Sequence, residues 1–237
     1  MQLSPKKILE PERFLLYEGL DNSLIVPPIL KLIKKDNISI CDVGGASGKL
    51  LNEIVIKSNF KIKPVIMDID DFYQDKILNN NIEFINESIL NNKFDDNYFD
   101  IITFRHLLHH LVSNNLKNTL RIQKLTLDEV FRITKRNGYV IFLEQVNNNE
   151  LFSWIIYLLS KFANKFNINI RFFFTGKVIV HFLSYNYIKK ILGDFKKKYN
   201  LRIYKTQYFP WKSSLKWRIT LLMNNIGSVF YIIKVLK

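Results

Sequence analysis

One cysteine, Cys41, stands in 237 residues, so no disulfide can close within the chain and nothing requires an oxidising compartment. Long apolar runs are missing too. No stretch approaches the ~18 uninterrupted apolar residues of a membrane-spanning helix. Met1 to Phe14 lacks the apolar core of a secretory signal, so a cytoplasmic protein is expected. Glycine is scarce, eight in all, yet three of the eight fall within Gly44-Gly45-Ala46-Ser47-Gly48. Such a concentration in a glycine-poor chain marks a backbone with a particular task. The scarcest class is acid in the second half: after Glu150 there is only Asp194.

The charge is therefore divided. Residues 1–150 carry 19 Lys/Arg against 20 Asp/Glu, and residues 151–237 carry 16 against one, within a formal net charge of +14. A field of one sign attracts phosphate, anionic lipid or an acidic substrate. Drift toward Lys, Asn and Ile explains the many lysines but not the near-absence of acids. Hydrophobic residues make up 48% of the chain, enough at this length for an ordered α/β domain with a full core.

Between Asn37 and Leu51 a short β-branched run, Ile38 to Val43, ends in the glycine cluster, and Leu50 and Leu51 resume as helix-compatible sequence. That pattern is a buried strand, a tight turn and a helix start. Asp42 places a carboxylate beside the turn. A phosphate-binding Walker A loop is excluded, because Val43 stands where its first glycine belongs and Leu50 where its hydroxyl belongs. The dinucleotide fingerprint fits only at Gly44. The pattern D-x-G-x-G-x-G fits at Asp42, Gly44 and Gly48, with Ala46 in place of the middle glycine. Further on, Pro64 to Asp70 is a second apolar run ending in acid, where a carboxylate at a strand tip can accept both ribose hydroxyls of a nucleoside. Phe94 to Leu111 carries another strand, and Asp128 to Ile141 reads as helix, turn and fifth strand.

These four stretches, in this order, resemble the class I S-adenosylmethionine (SAM)-dependent methyltransferases. The similarity is to the small-molecule, ubiquinone/menaquinone-methylase-like (methyltransferase type 11) group and covers roughly Asp36 to Glu144. The resemblance implies an α/β, Rossmann-like fold: a seven-stranded, mostly parallel sheet with helices on both faces, an antiparallel edge strand and a helical insertion after the fifth strand. It implies one domain over 1–237, with a helical leader at 1–36, a SAM-binding core at 37–148, a substrate-covering insertion at 149–183 and a C-terminal helix with the last strands at 184–237. SAM would lie across the ends of the first two strands. Asp42 would face its ammonium, Gly44, Gly45 and Gly48 its methionine part, and Asp68 and Ile69 its ribose. Ser88 and Ile89 would lie at the adenine, although many relatives carry Asp where Ser88 stands and Asn86 or Glu87 are alternatives. Arg105 is a candidate for both cofactor and substrate.

In the leader, Tyr17, Leu20, Leu24, Ile25 and Ile29 have helical spacing, with Pro27-Pro28 as a start or break. Tyr17 is a candidate lid and substrate contact. Asp71 to Asn79 is predicted as a short helix, Ile82 to Ile85 as the third strand and Phe99 to Phe104 as the fourth. His109 and His110 follow that strand, and either can serve as a base toward a hydroxyl acceptor or simply pack locally. A helix over Asn114 to Thr134 and a strand over Tyr139 to Leu143 bring Glu144 to the same rim. Glu144 is a third catalytic candidate, and His181 a substrate candidate. No metal is expected, since no further ligand set is spaced around these histidines.

Leu151 to Phe166 is predicted as a strongly apolar helix, followed by Phe172-Phe173-Phe174 and Val178 to Leu183. Ser184 caps a helix over Ile188 to Tyr199, and Leu201 to Tyr208 and Val229 to Val235 are the last strands. Twenty of the 33 aromatic residues lie after Glu150, among the cations. That mixture suits a nucleic-acid groove or a membrane interface. Trp154, Trp211 and Trp217 beside leucine and isoleucine favour lipid. The expected function is methyl transfer from SAM to a small-molecule or amphiphilic, lipid-like acceptor, with peripheral contact to an anionic membrane at its inner surface. RNA methylation and a catalytically degenerate SAM-fold scaffold are the alternatives, and the oligomeric state is left open.

Overall fold

The computed structural model describes residues 15, 18–168, 178–211 and 225–237. In chain order the elements are α1 (Asn22–Leu32), β1 (Ile38–Val43), α2 (Lys49–Lys57), β2 (Ile62–Asp68), β3 (Glu83–Asn86), β4 (Phe99–Arg105), α3 (Leu116–Ile133), β5 (Thr134–Asn147), α4 (Glu150–Lys165), α5 (Tyr185–Tyr199), β6 (Leu201–Pro210) and β7 (Ile226–Val235). Single 3-10 turns stand at Asp71–Lys76, Ile89–Asn91 and Leu108–His110.

Seven strands form one sheet in the order β3-β2-β1-β4-β5-β7-β6. β1 to β5 pair in parallel, which requires crossovers and covers both faces. All six residues of β1 are accordingly buried. The two last strands make the antiparallel edge. β7 is the strand that runs against the rest, one place in from β6.

Period-two alternation sorts the core. Ile40, Ile66, Ile101 and Ile141 face α1 and α2, whose Ile25, Ile29, Leu50 and Ile54 pack on them. Their neighbours Cys41, Met67, Ile102 and Phe142 face α3 and α5, with Ile122, Val130, Ile191 and Phe195. Side-chain caps fix three helix starts: Asn115 accepts from the Asn118 N–H, Asn149 from Phe152 and Ser184 from Tyr187.

Several expected boundaries move, each for a local reason. Pro27 and Pro28 neither start nor break a helix but lie inside α1. The carbonyls they leave unbonded are those of Ser23, which is exposed, and Leu24, while Ile25, Val26 and Ile29 hold the helix by burial. Asp71 to Asn79 makes only a 3-10 turn as far as Lys76, capped by Asp70. The fifth strand is 14 residues long. Phe99 pairs with Thr134 and Ile101 with Tyr139, so the turn expected at Lys135 to Gly138 is a bulge within β5. Among the described residues of the insertion α4 is the helix, and Leu183, near the insertion's far end, bridges in parallel to Val146. Tyr17, Phe172-Phe173-Phe174 and Trp217 lie outside the described residues.

Candidate active site

β1 and β2 run in parallel with Val43 opposite Met67, so Asp42 and Asp68 arrive at the same rim of the sheet. Between them the chain turns sharply. Gly44 and Gly48 take left-handed backbone, with φ of 70° and 77°, which glycine adopts at no steric cost. Gly45 lies against Asp42, and a Cβ there would come within 3.0 Å of its carboxylate. Ala46 also takes φ 46°, the conformation a middle glycine would supply more easily. Its N–H donates to Asp68 Oδ2 at 3.2 Å, so the turn and the tip of β2 are held together.

Asp42 is buried, and neither carboxylate oxygen accepts a hydrogen bond from a described residue. Among the described residues its cation is Arg105, 3.8 Å away. Burial pushes its carboxyl up to about 7; Arg105 opposes this, while the charges of Glu18 and Asp68 add to it. Asp68 is raised to about 6, again by burial, against the N–H groups of Asp70 and Ala46 that it accepts. A buried carboxylate without a donor is a costly arrangement that a cationic ligand relieves. The ammonium of a bound SAM is such a ligand. Asp68, expected at the ribose, stands on the adjacent strand tip with Ile69 following it. These residues fit SAM.

The residues expected at the adenine have local duties. Ser88 caps the turn at Ile89–Asn91 by accepting from the Leu90 N–H. Ile89 is buried in the core with Val43 and Met67. Asn86 donates to the Asp68 carbonyl at 3.2 Å.

β4 and β5 supply the other wall. Leu107 reaches over Gly44, and the next turn carries Leu108 to His110. Glu144, fully buried, accepts from the Leu108 N–H at 2.7 Å and the Gln145 N–H at 2.8 Å, and meets His109 Nδ1 at 2.6 Å. With Nδ1–H donating to Glu144, Nε2 of His109 keeps its lone pair, and no described residue bonds it. His110 packs 4.1 Å from the His109 ring, and burial drives its pKa well below the usual range, so it stays neutral. Phe182 stacks on His109 at 5.1 Å, and the His181 N–H donates to the His109 carbonyl. Gln123 bonds the carbonyls of Leu108 and His181, tying the insertion to this wall. His181 is itself buried against Tyr157 and held neutral, at about 4, by desolvation. The structure thus brings Glu144, His109, His110 and His181 together.

Three contributors, Glu18, Asp21 and Asn22, came from positions the motif pattern does not mark. Glu18 accepts from Ser47 Oγ at 2.6 Å and from the Lys49 N–H, so the leader sits on the glycine turn. Asn22 accepts from Arg105 and donates to Glu53. Asp21 meets His106 Nε2 at 2.8 Å, and that bond holds its carboxyl below the usual range against the effect of burial. His106 has φ 50°, a strained backbone for a non-glycine residue, at the end of β4. Positive φ on a histidine has no signature in sequence, and the leader's acids have no periodicity. Among the described residues no cluster of His, Cys, Asp and Glu could hold a metal ion.

A methyltransferase-domain family model matches residues 18–193, well over half of the chain. The chain belongs to the class I SAM-dependent methyltransferases. Solved structures agree in fold. A SAM-dependent methyltransferase from Methanosarcina mazei is 20% identical with a TM-score of 0.61, over 88% of this chain and 97% of that one. The N-methyltransferase NodS from Bradyrhizobium japonicum WM9, solved with S-adenosylhomocysteine (SAH), is 11% identical with a TM-score of 0.58, over 93% and 88%. Among curated proteins no sequence match is found. The methyltransferase's leader, from Glu18 onward, lies within the family match, as do α4 and most of α5.

Proposed function

We propose that this methyltransferase moves the methyl group of SAM to a small-molecule or amphiphilic, lipid-like acceptor, with His109 as the base and Glu144 as the group that orients it. The observation that carries the reading is the buried Glu144–His109 pair at the rim shared with Asp42 and Arg105, under the apolar cover of Phe182 and α4. SAM supplies an electrophilic methyl on a sulfonium, whose bond to sulfur breaks as the acceptor's bond to carbon forms. The chain's part is to position, to exclude water and to receive a proton. His109 Nε2 takes the proton of a hydroxyl or ammonium acceptor, and the resulting imidazolium is stabilised by the Glu144 carboxylate on Nδ1. Arg105, held by Asn22 and only 11% exposed, is aimed at the Asp42 side and can meet an acidic group there. An amphiphilic acceptor is met at a membrane surface, which puts the enzyme in the cytoplasm and peripheral to that surface. No described helix is long and apolar enough to cross a membrane.

Incubation with methyl-labelled SAM and cell extract, followed by fractionation, tests this. Label in a lipid or small-molecule fraction is expected. Label in RNA would overturn the acceptor class and point to the basic half as a nucleic-acid surface. SAH binding without label in any fraction would mean a scaffold rather than an enzyme.

A further inference from the structure

Helix α4 buries one face and leaves the opposite face apolar and open. Phe152, Ile156 and Tyr157 are buried against Val178, Val180 and the Val112–Ile179 cluster. Leu151, Trp154, Leu158, Phe162 and Phe166 recur at intervals of three and four residues on the other side. All five are at least 43% exposed except Leu158, at 41%. A helix end of a monomeric protein rarely shows so continuous an apolar stripe. The stripe's margin is mainly cationic. Lys161, which also donates to the Asn114 carbonyl, and Lys165 lie along its edge, and Glu150, the helix's one acid, accepts from Ser184 Oγ. Trp211, 45% exposed, leaves β6 at the same end of the sheet from which α4 departs, where Pro210 pairs with Gly227 and Asn147 with Ile226.

We infer that the outward face of α4 lies in the interface of an anionic bilayer, with Leu151, Trp154, Leu158 and Phe162 among the headgroups and Lys161 and Lys165 on lipid phosphate. Charge complementarity selects this occupant. A second copy of the chain would bring the same positive field, whereas an anionic surface answers both the apolar stripe and the cations beside it. Tryptophan and lysine are the side chains such a boundary favours. The face is also well placed for function, because the buried side of α4 and the segment Val178 to Leu183 cover His109. The inference rests on the geometry of α4 and not on the identity of the acceptor, so it can fail while methyl transfer stands.

Co-sedimentation of the full chain with phosphatidylcholine vesicles, with and without phosphatidylglycerol, is the test. Binding is expected only with the anionic lipid and should weaken as salt rises, since exposed charges are screened. The triple variant Trp154→Ser/Leu158→Ser/Phe162→Ser should partition at least about tenfold more weakly, with SAH binding and melting temperature kept as evidence of folding. Lys161→Glu/Lys165→Glu should lose binding at low salt without changing the fold. Equal recovery on neutral and anionic vesicles would overturn the inference, and so would a folded triple variant that binds like the parent. A concentration-dependent dimer that the triple variant abolishes, without vesicle binding by the parent, would assign the face to a second copy instead.

Discussion

The halves before and after Glu150 hold their charged and apolar groups by different means. In the first, charges balance, and those at the rim are held by hydrogen bonds: Glu18 to Ser47, Asp21 to His106, Arg105 to Asn22. Asp42 is buried with no hydrogen-bond donor among the described residues. In the second, the lysines are largely at the surface, and α4 turns leucine, tryptophan and phenylalanine outward. A few enclosed carboxylates and a turn of backbone suit a fixed, charged nucleoside. The second half offers instead an apolar cover and a field of one sign. The difference explains why one half carries a motif and the other only a composition.

Substitutions that separate the halves give the largest effects. His109→Gln and Glu144→Gln should lower kcat by about 10²–10⁴-fold, the range of a lost general base, while SAH affinity stays within about twofold. If affinity falls and turnover does not, the pair belongs to the cofactor half and the division is misplaced. Asp68→Ala should do the opposite. It removes a charged acceptor for two ribose hydroxyls, so SAH affinity should drop by roughly 10²–10³-fold in calorimetry.

A smaller effect follows from pH. Asp42 is raised from its ordinary 3.8 to about 7 by burial. Between those values the folded chain holds a proton that the unfolded chain has released, so folded stability falls as pH rises through this window and levels off above it. Binding an ammonium reverses the preference. SAH affinity should therefore be about tenfold weaker near pH 6 than near pH 8, with proton release on binding at the lower pH. Asp42→Asn should flatten both dependences. The smallest expected change is at the turn itself. Ala46→Gly relieves left-handed backbone costing about 1–2 kcal/mol, against roughly 0.5–1 kcal/mol of added chain entropy. The denaturant midpoint should rise slightly; a clear fall would show that Ala46 is not strained.

Much of the cofactor half was legible because its physics is local. A β-branched run, a glycine turn and an acid on the neighbouring strand tip are adjacent in sequence, and they place Asp42, Gly48 and Asp68 as expected. The seven strands also follow from short apolar runs, although the ends of β5 and β7 extend well beyond them. What could not be read is long-range. The His109–Glu144 bond joins residues from the ends of two strands, and no spacing distinguishes it from an unrelated histidine and acid. The leader's grip depends on Glu18, Asp21 and Asn22 meeting elements far along the chain, whereas sequence drew attention to Tyr17. Whether Ser88 serves the adenine was obscured by its local duty as a cap.

Calorimetric titration of SAH into the wild-type chain at about pH 8 tests the central claim most directly. A single site per chain is predicted, with a dissociation constant on the order of micromolar. No heat and no thermal stabilisation at millimolar SAH would contradict the assignment of the Asp42–Asp68 rim to the cofactor.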